Sequence, residues 1–381
     1  MAYVVEGNLY IQDGSNPPIQ LIDSGEDGYP IFSDDGEKIV FFRGTVPHDL
    51  YAINADGSQE QALVTSRLLT SLGLGYDGST ELRSLAFVPG SHRLLFNTHQ
   101  LDPYDIELNS PNRIASKKND DLLLLDIDTG EIKRLLPSGQ GGGFKVSPDG
   151  SLVAILASGH VDVVGIDGRV IHRNLVTYTP SQPIELWPDI KWTPDSDELI
   201  VLLPIETEYD MEGPETRSVW HYAIDGSPAV QVSLDPPPMG GLESVSPDRN
   251  WIIYQYFPEG IMSRQVPLYM GNLHDGRTQL YAPDAAPHDW GPDSMHFVYE
   301  ETGQELFLGV VDGPPKFIDK GGFQGWVDAS HFIYISTANE MIVMGEIGGE
   351  TMMILAGEPG SSLLSSLGGF TFVLLDRGVD K

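Results

Sequence analysis

Three sets of side chains in this sequence have the types and spacing to do chemistry. The first is His288-Asp289 with Lys145 and Lys191. Asp289, Lys145 and Lys191 each stand immediately before an apolar or aromatic residue, Trp290, Val146 and Trp192, in a short strand-like stretch. Two-residue alternation sends those charges to one side of their strands and the apolar residues to the other. A histidine, an aspartate and two lysines gathered in this way can donate and accept protons. They can equally serve as a self-compensating charge set lining a wet channel. The second set is His48, His99 and His160. A shared metal would need their nitrogens about 2.0–2.1 Å from one ion. They belong to three successive sequence units that splay apart, so separate exposed histidines are expected. The third is the stretch PIETEYDMEGPETR at residues 204–217, which sets Glu206, Glu208, Asp210, Glu212 and Glu215 around Tyr209. Calcium takes about six to eight oxygen ligands. The stretch has no EF-hand spacing, so it reads as a solvated acidic loop, with calcium the one cofactor left open.

Composition says what kind of framework must hold these groups. The chain has 381 residues, of which 42 are Gly and 28 Pro, a content that suits many tight turns. Hydrophobic residues make up 40% and charged residues 20%, which is ordinary for a folded globular protein. There is no cysteine, which excludes disulfides, thiolate metal sites and a cysteine nucleophile. No apolar run approaches the roughly 18 residues of a membrane-spanning helix. The 55 acidic residues outnumber the 22 basic ones, for a net charge of −33. That field repels phosphate backbones and anionic membranes, so neither nucleic acid nor a membrane is an expected partner. Met1-Ala2 leads at once into strand-like sequence, with no charged and apolar leader. A monomer in an exported or extracellular bacterial setting is expected, a cytoplasmic setting being the alternative.

Self-similarity organises the rest. A hairpin pattern with a Ser-Pro-Asp-Gly-like turn recurs seven times: YPIFSDDGEKIVFF from Tyr29, SLAFVPGSHRLLFN from Ser84, GFKVSPDGSLVAIL from Gly143, DIKWTPDSDELIVLL from Asp189, LESVSPDRNWIIYQ from Leu242, HDWGPDSMHFVYE from His288 and QGWVDASHFIYIS from Gln324. Between these copies lies a second hairpin, which turns at Gly14, Gly57, Gly130, Gly168, Gly226, Gly276, Gly313 and Gly348. Such turns favour glycine because they need a positive φ. Alternating hairpins give four-stranded units, the signature of propeller blades. The N-terminal hairpin lacks a partner, and a lone strand at residues 370–375 can pair with the N-terminal residues 3–22 to complete an eighth blade and close the ring. The expected fold is therefore an all-β, eight-bladed propeller forming one domain over residues 1–381, with seven blades as the alternative. One column, Phe32, Phe87, Val146, Trp192, Val245, Trp290 and Trp326, should point between blades.

The turns at Ser147–Gly150, with variants at Ser33, Thr193, Ser246 and Gly291, resemble the TolB-like propeller repeat, and so do the second-hairpin turns NADG at 54–57 and DIDTG at 126–130. The resemblance spans the chain and implies a propeller used as a binding scaffold, a peptidase gate or, in some cases, a lyase. No Gly-x-Ser-x-Gly elbow is present, which removes serine hydrolysis by that route. Long segments at 66–83, 97–120, 176–188, 204–217, 235–241 and 256–266 fall on one face, where rigid scaffolds usually place their binding loops. The reading is a non-catalytic binding or scaffold propeller presenting that face to a protein, peptide or glycan. The alternative is an enzyme at the channel mouth, a metal-assisted lyase or hydrolase acting on a carbohydrate.

The acidic stretch yields a first test. Arg217 is the one basic residue in 204–217, so the carboxylates there repel one another. Calcium titration should leave the melting temperature unchanged. A rise of several degrees that disappears in the Asp210→Ala, Glu212→Ala double variant would make calcium an organiser of this loop.

Overall fold

In the computed structural model the described residues are 2–13, 16–45, 48–72, 80–100, 121–179, 187–205, 216–239, 243–256, 266–338, 341–349, 352–356 and 371–373. Two compact units divide the chain: Met1–Glu185 with Ser366–Arg377, and Leu186–Ser365 with Gly378–Lys381. Glu206, Glu208, Tyr209, Asp210, Glu212 and Glu215 lie outside the described residues.

The first unit is built from β1 (Ala2–Val5), β2 (Asn8–Ile11) and β3 (Ile19–Gln20); β4 (Asp27–Phe32), β5 (Lys38–Arg43), β6 (Asp49–Asn54) and β7 (Gln61–Val64); helix α1 (Ser66–Ser71); β8 (Thr80–Phe87), β9 (Arg93–Gln100), β10 (Asp121–Asp126) and β11 (Ile132–Arg134); and β12 (Gly143–Val146), β13 (Leu152–Ala157), β14 (His160–Gly165) and β15 (Val170–Thr177). The second unit holds β16 (Asp189–Trp192), β17 (Glu198–Pro204), β18 (Arg217–Ala223) and β19 (Val230–Val232); β20 (Glu243–Val245), β21 (Trp251–Gln255), β22 (Leu268–Asn272) and β23 (Thr278–Ala282); and β24 (Ala285–Trp290), β25 (His296–Glu301), β26 (Glu305–Val310), β27 (Gly313–Trp326), β28 (His331–Ser336), β29 (Met341–Glu346) and β30 (Met352–Ala356). β31 (Thr371–Val373) belongs to the first unit.

Every sheet is an antiparallel meander, so the protein is all-β and its repeat is the propeller blade. β31 pairs with β1, placing Val373 opposite Ala2 and Thr371 opposite Val4. The order β3-β2-β1-β31 is the completion by the two termini that the sequence implied. Counted as hydrogen-bonded sheets there are seven among the described residues, the alternative given above: six of four strands and one of seven. The seven-stranded sheet arises because β27 pairs with β26 through its first half and with β28 through its second. Two four-strand meanders thus share one strand, which is why the repeat pattern reads as eight. The segment expected as a loop at 66–83 instead contains α1 and the start of β8.

The middle strands explain the packing. β10 reads DLLLLD and β5 KIVFFR, continuous apolar runs suited to strands covered on both faces. The clusters follow from this. Ala2, Val4 and Leu9 pack with Phe32, Ile39, Phe41 and Ile53, while the opposite side of that second sheet (Val40, Leu50, Ala52) packs with Leu94, Phe96 and Leu123. Burying each such side chain contributes about 1.5–3 kcal/mol. Glycines let aromatic rings lie flat across a neighbouring strand. A Cβ on Gly309 would meet the Phe297 ring at 2.4 Å, and one on Gly345 would meet the Phe332 ring at 2.4 Å.

The recurring turn is a hydrogen-bond module. Ser147 is fully buried. Its Oγ donates to Asp149 Oδ1 at 2.6 Å and accepts the Leu152 N–H at 2.9 Å. The same atoms meet at Ser33, Asp35 and Lys38 and at Ser246, Asp248 and Trp251. Thr193 stands in for serine, accepting from the Glu198 N–H at 3.0 Å. The fourth turn position has positive φ, 71° at Gly150 but also 63° at Arg249, a region most L-residues avoid. Arg249 offsets that strain by donating from Nε to the Trp192 carbonyl at 2.7 Å and from Nη1 to the Ser246 carbonyl at 2.8 Å.

Ser147→Ala would leave the part-buried Leu152 N–H without its acceptor, which costs about 1–3 kcal/mol. Ser151→Ala, on the exposed side of the same turn, should stay within about 0.5 kcal/mol. Urea unfolding of the two variants checks the difference.

Candidate active site

The first strands of the second unit, β16, β20, β24 and the latter half of β27, carry the densest set of candidate groups. They are joined by the aromatic column. Trp290 donates its indole N–H to the Ser244 carbonyl at 2.9 Å, and Trp326 donates to the Asp289 carbonyl at 3.4 Å. Trp290 and Trp192 are both 3% exposed. Val146 and Trp326 are only half-buried, so the column is less uniformly core than expected. Trp290 and Trp326 do more than fill space: their indole N–H groups reach the backbone of the neighbouring first strand.

β24 does not run straight into this arrangement. Pro287 pairs with Tyr299 and Trp290 with Phe297, so His288 and Asp289 together oppose the single residue between those partners. This is a β-bulge, a device that re-aims side chains and occurs often beside active sites. Asp289 is accessible to water yet flanked by protein. Its Oδ1 accepts the Trp290 N–H at 2.9 Å and sits 3.4 Å from Ser244 Oγ. Loss of hydration raises its carboxyl above the ordinary aspartate value, outweighing those hydrogen bonds and the positive influence of Lys191 and His288.

Around it, His288 Nε2 lies 3.3 Å from Glu300 Oε2, and its ring rests against Phe323 with centroids 5.6 Å apart. Lys191 Nζ lies 3.1 Å from Asp189 Oδ2. The structure therefore sets His288 and Asp289 at one bulge with Ser244 and Glu300 against them, and Lys191 acts on Asp289 through its charge, so the cluster can offer an acid, an imidazole backed by a carboxylate, and a cation. Lys145, on β12, is exposed and belongs to the first unit. Ser244 precedes the column residue Val245 just as Asp289 precedes Trp290, so the register rule that singled out Asp289 also reaches Ser244. Glu300 was not foreseen, because its approach to His288 depends on the bulge.

The histidine set behaves as separate residues where it is described. His48 Nδ1 lies 2.6 Å from the Gly44 carbonyl, with its ring against Phe42. His160 Nε2 lies 3.8 Å from Asp162, and the His99 side chain is outside the description. A further concavity of about 600 Å³ in the second unit is lined by Asp197, Glu198, His221 and Asp225. Beside it a hydrogen bond with Asp195 raises the Asp197 carboxyl, and the Asp195 carboxyl is correspondingly lowered by Thr193 and Asp197.

Asp289 gives a stability test with a definite sign. Its carboxyl is raised, so stability falls as pH climbs through the ordinary carboxylate range, about 3.9, towards the raised value. Asp289→Asn should therefore melt higher than the parent at neutral pH, and the gap should close in acid. Thermal melts across pH test both parts.

No protein-family model matches the chain, and no curated protein matches it by sequence. Solved structures do. A prolyl endopeptidase structure matches at 13% identity and TM-score 0.53, over 86% of this chain and 49% of its own. Dipeptidyl peptidase 4 of Porphyromonas gingivalis matches at 12% identity and TM-score 0.50, over 86% and 52%. The β-propeller domain of the Trilobed protease from Pyrococcus furiosus matches at 14% identity and TM-score 0.50, over 88% and 99%. The chain thus spans about half the length of the first two. At these identities the likeness establishes the fold, a β-propeller. The expectation of a non-catalytic binding or scaffold module is corrected at this point: the solved structures named here that share the fold are two peptidases and a domain of a protease.

Proposed function

We propose that the chain is an enzyme, or the propeller part of one, whose acid–base centre is the Asp289 bulge, and that it acts on a carbohydrate as a lyase or hydrolase. The observation that carries this reading is a water-accessible carboxyl raised by desolvation, with a cation and a carboxylate-backed imidazole beside it. A raised carboxyl keeps its proton closer to neutral pH and can give it to a leaving oxygen. His288, oriented by Glu300, is the base that removes a proton from the sugar ring or from an attacking water. Lys191 offsets negative charge as it develops. The geometry of the Ser147, Ser33 and Ser246 turns supports a propeller of the TolB-like type.

A second reading follows from the match over about half the length of these two peptidases. In it the propeller gates a peptidase domain carried elsewhere in the protein, and the Asp289 cluster contacts the passing substrate.

A panel of neutral and acidic polysaccharides should separate the readings. Ultraviolet absorbance from an unsaturated sugar end marks a lyase, and new reducing ends without that absorbance mark a hydrolase. Asp289→Asn and His288→Gln should each lower turnover by about 10²–10⁴-fold. Turnover untouched by Asp289→Asn, or none on any polysaccharide, would overturn the first reading.

A further inference from the structure

We propose that Asp35, Glu37 and His92 form a binding site for a zinc-like transition-metal dication, with Asp128 positioning the imidazole. The residues come from three turns in two successive sheets of the first unit: β4–β5 supplies Asp35 and Glu37, β8–β9 supplies His92, and β10–β11 supplies Asp128. One potential ligand atom from each of Asp35, Glu37 and His92 lies within 4.8 Å of the others.

The hydrogen bonds leave the right atoms pointing inward. Asp35 Oδ1 is engaged, accepting from Ser33 Oγ at 2.6 Å and from the Glu37 N–H at 3.0 Å. Its Oδ2 is turned to His92 Nε2 at 2.8 Å. On the other side of the ring, His92 Nδ1 faces Asp128 Oδ2 at 2.8 Å, and Asp128 Oδ1 lies 3.2 Å from Lys38 Nζ. His92 Nε2 and Asp35 Oδ2 thus face each other, each anchored on its far side, and both can turn a lone pair to one cation. A carboxylate behind the far nitrogen is the usual support of a metal-ligating histidine, fixing its tautomer and raising its basicity. One imidazole nitrogen and two carboxylates suit zinc, cobalt or nickel better than calcium or magnesium, which favour all-oxygen shells. Bonds of about 2.0–2.2 Å require a short swing of Glu37, which is exposed and can make it.

The test uses the full chain stripped with a chelator and titrated calorimetrically with zinc chloride. The cobalt(II) visible spectrum serves as a readout independent of any activity. The expected result is one zinc per chain, with no comparable heat from calcium or magnesium. His92→Gln should abolish the cobalt bands, and Asp128→Asn should weaken zinc by about 10–100-fold. Glu37→Gln alters an exposed side chain without removing the turn's hydrogen bonds, so it reports on ligation even if His92→Gln folds poorly; it should weaken zinc measurably. His331→Gln, at another aspartate-paired turn, should leave binding unchanged. If zinc gives no heat, or binds the Glu37→Gln and His92→Gln variants as tightly as the parent, a proton alone bridges Asp35 and His92 and the proposal is wrong.

Discussion

The constraint behind most of this structure is that a blade's middle strands are covered on both faces. β5 and β10 can therefore carry almost nothing but apolar side chains. Charge, hydrogen-bonding side chains and chemistry are pushed to the turns and to the first strand of each sheet. The serine-aspartate turn meets this demand at one end. A buried hydroxyl there supplies an acceptor to a strand N–H and is satisfied in turn by a carboxylate that still reaches water. The indole N–H of Trp290, bonded to the Ser244 carbonyl, meets it at the first strands. The acidic surplus of the sequence is consistent with this sorting, since each turn of this type uses an aspartate.

The Asp289 cluster is where the sorting is locally broken. A bulge places two ionisable residues against one ladder partner, and one of them, Asp289, is exposed yet loses part of its hydration. An ordinary turn aspartate such as Asp35 is lowered in pKa by its partners despite some loss of hydration, whereas Asp289 is raised. Carboxylates in one sheet architecture are thus tuned in opposite directions, by stabilising hydrogen bonds and an imidazole in one case and by desolvation in the other.

The repeat, the turn chemistry and the joining of the termini were legible in the sequence because each rests on local alternation and on residues with special backbone needs. The seven-stranded sheet was not, since nothing in GPPKFIDKGGFQGW marks where one blade ends. Lys191 and Asp289 were found by register, and Ser244 was within reach of the same rule. Glu300 and the Asp35–His92–Asp128 chain were out of reach, because they join residues distant in sequence through a bulge in one case and through turns of neighbouring sheets in the other. The functional reading erred for a related reason: repeat patterns report architecture, and a raised carboxyl emerges only when a particular pair of strands comes together.

The strand shared by two meanders bears on how the molecule comes apart. β27 runs for 14 residues without a break, so the last two meanders of the second unit have no loop between them that could open while both stayed folded. Fraying β26 away from the first half of β27 loosens the same backbone on which β28 depends. The amides of β24 to β30 should therefore behave as one cooperative block in native-state hydrogen exchange, opening together, while sheets joined by ordinary connections open separately.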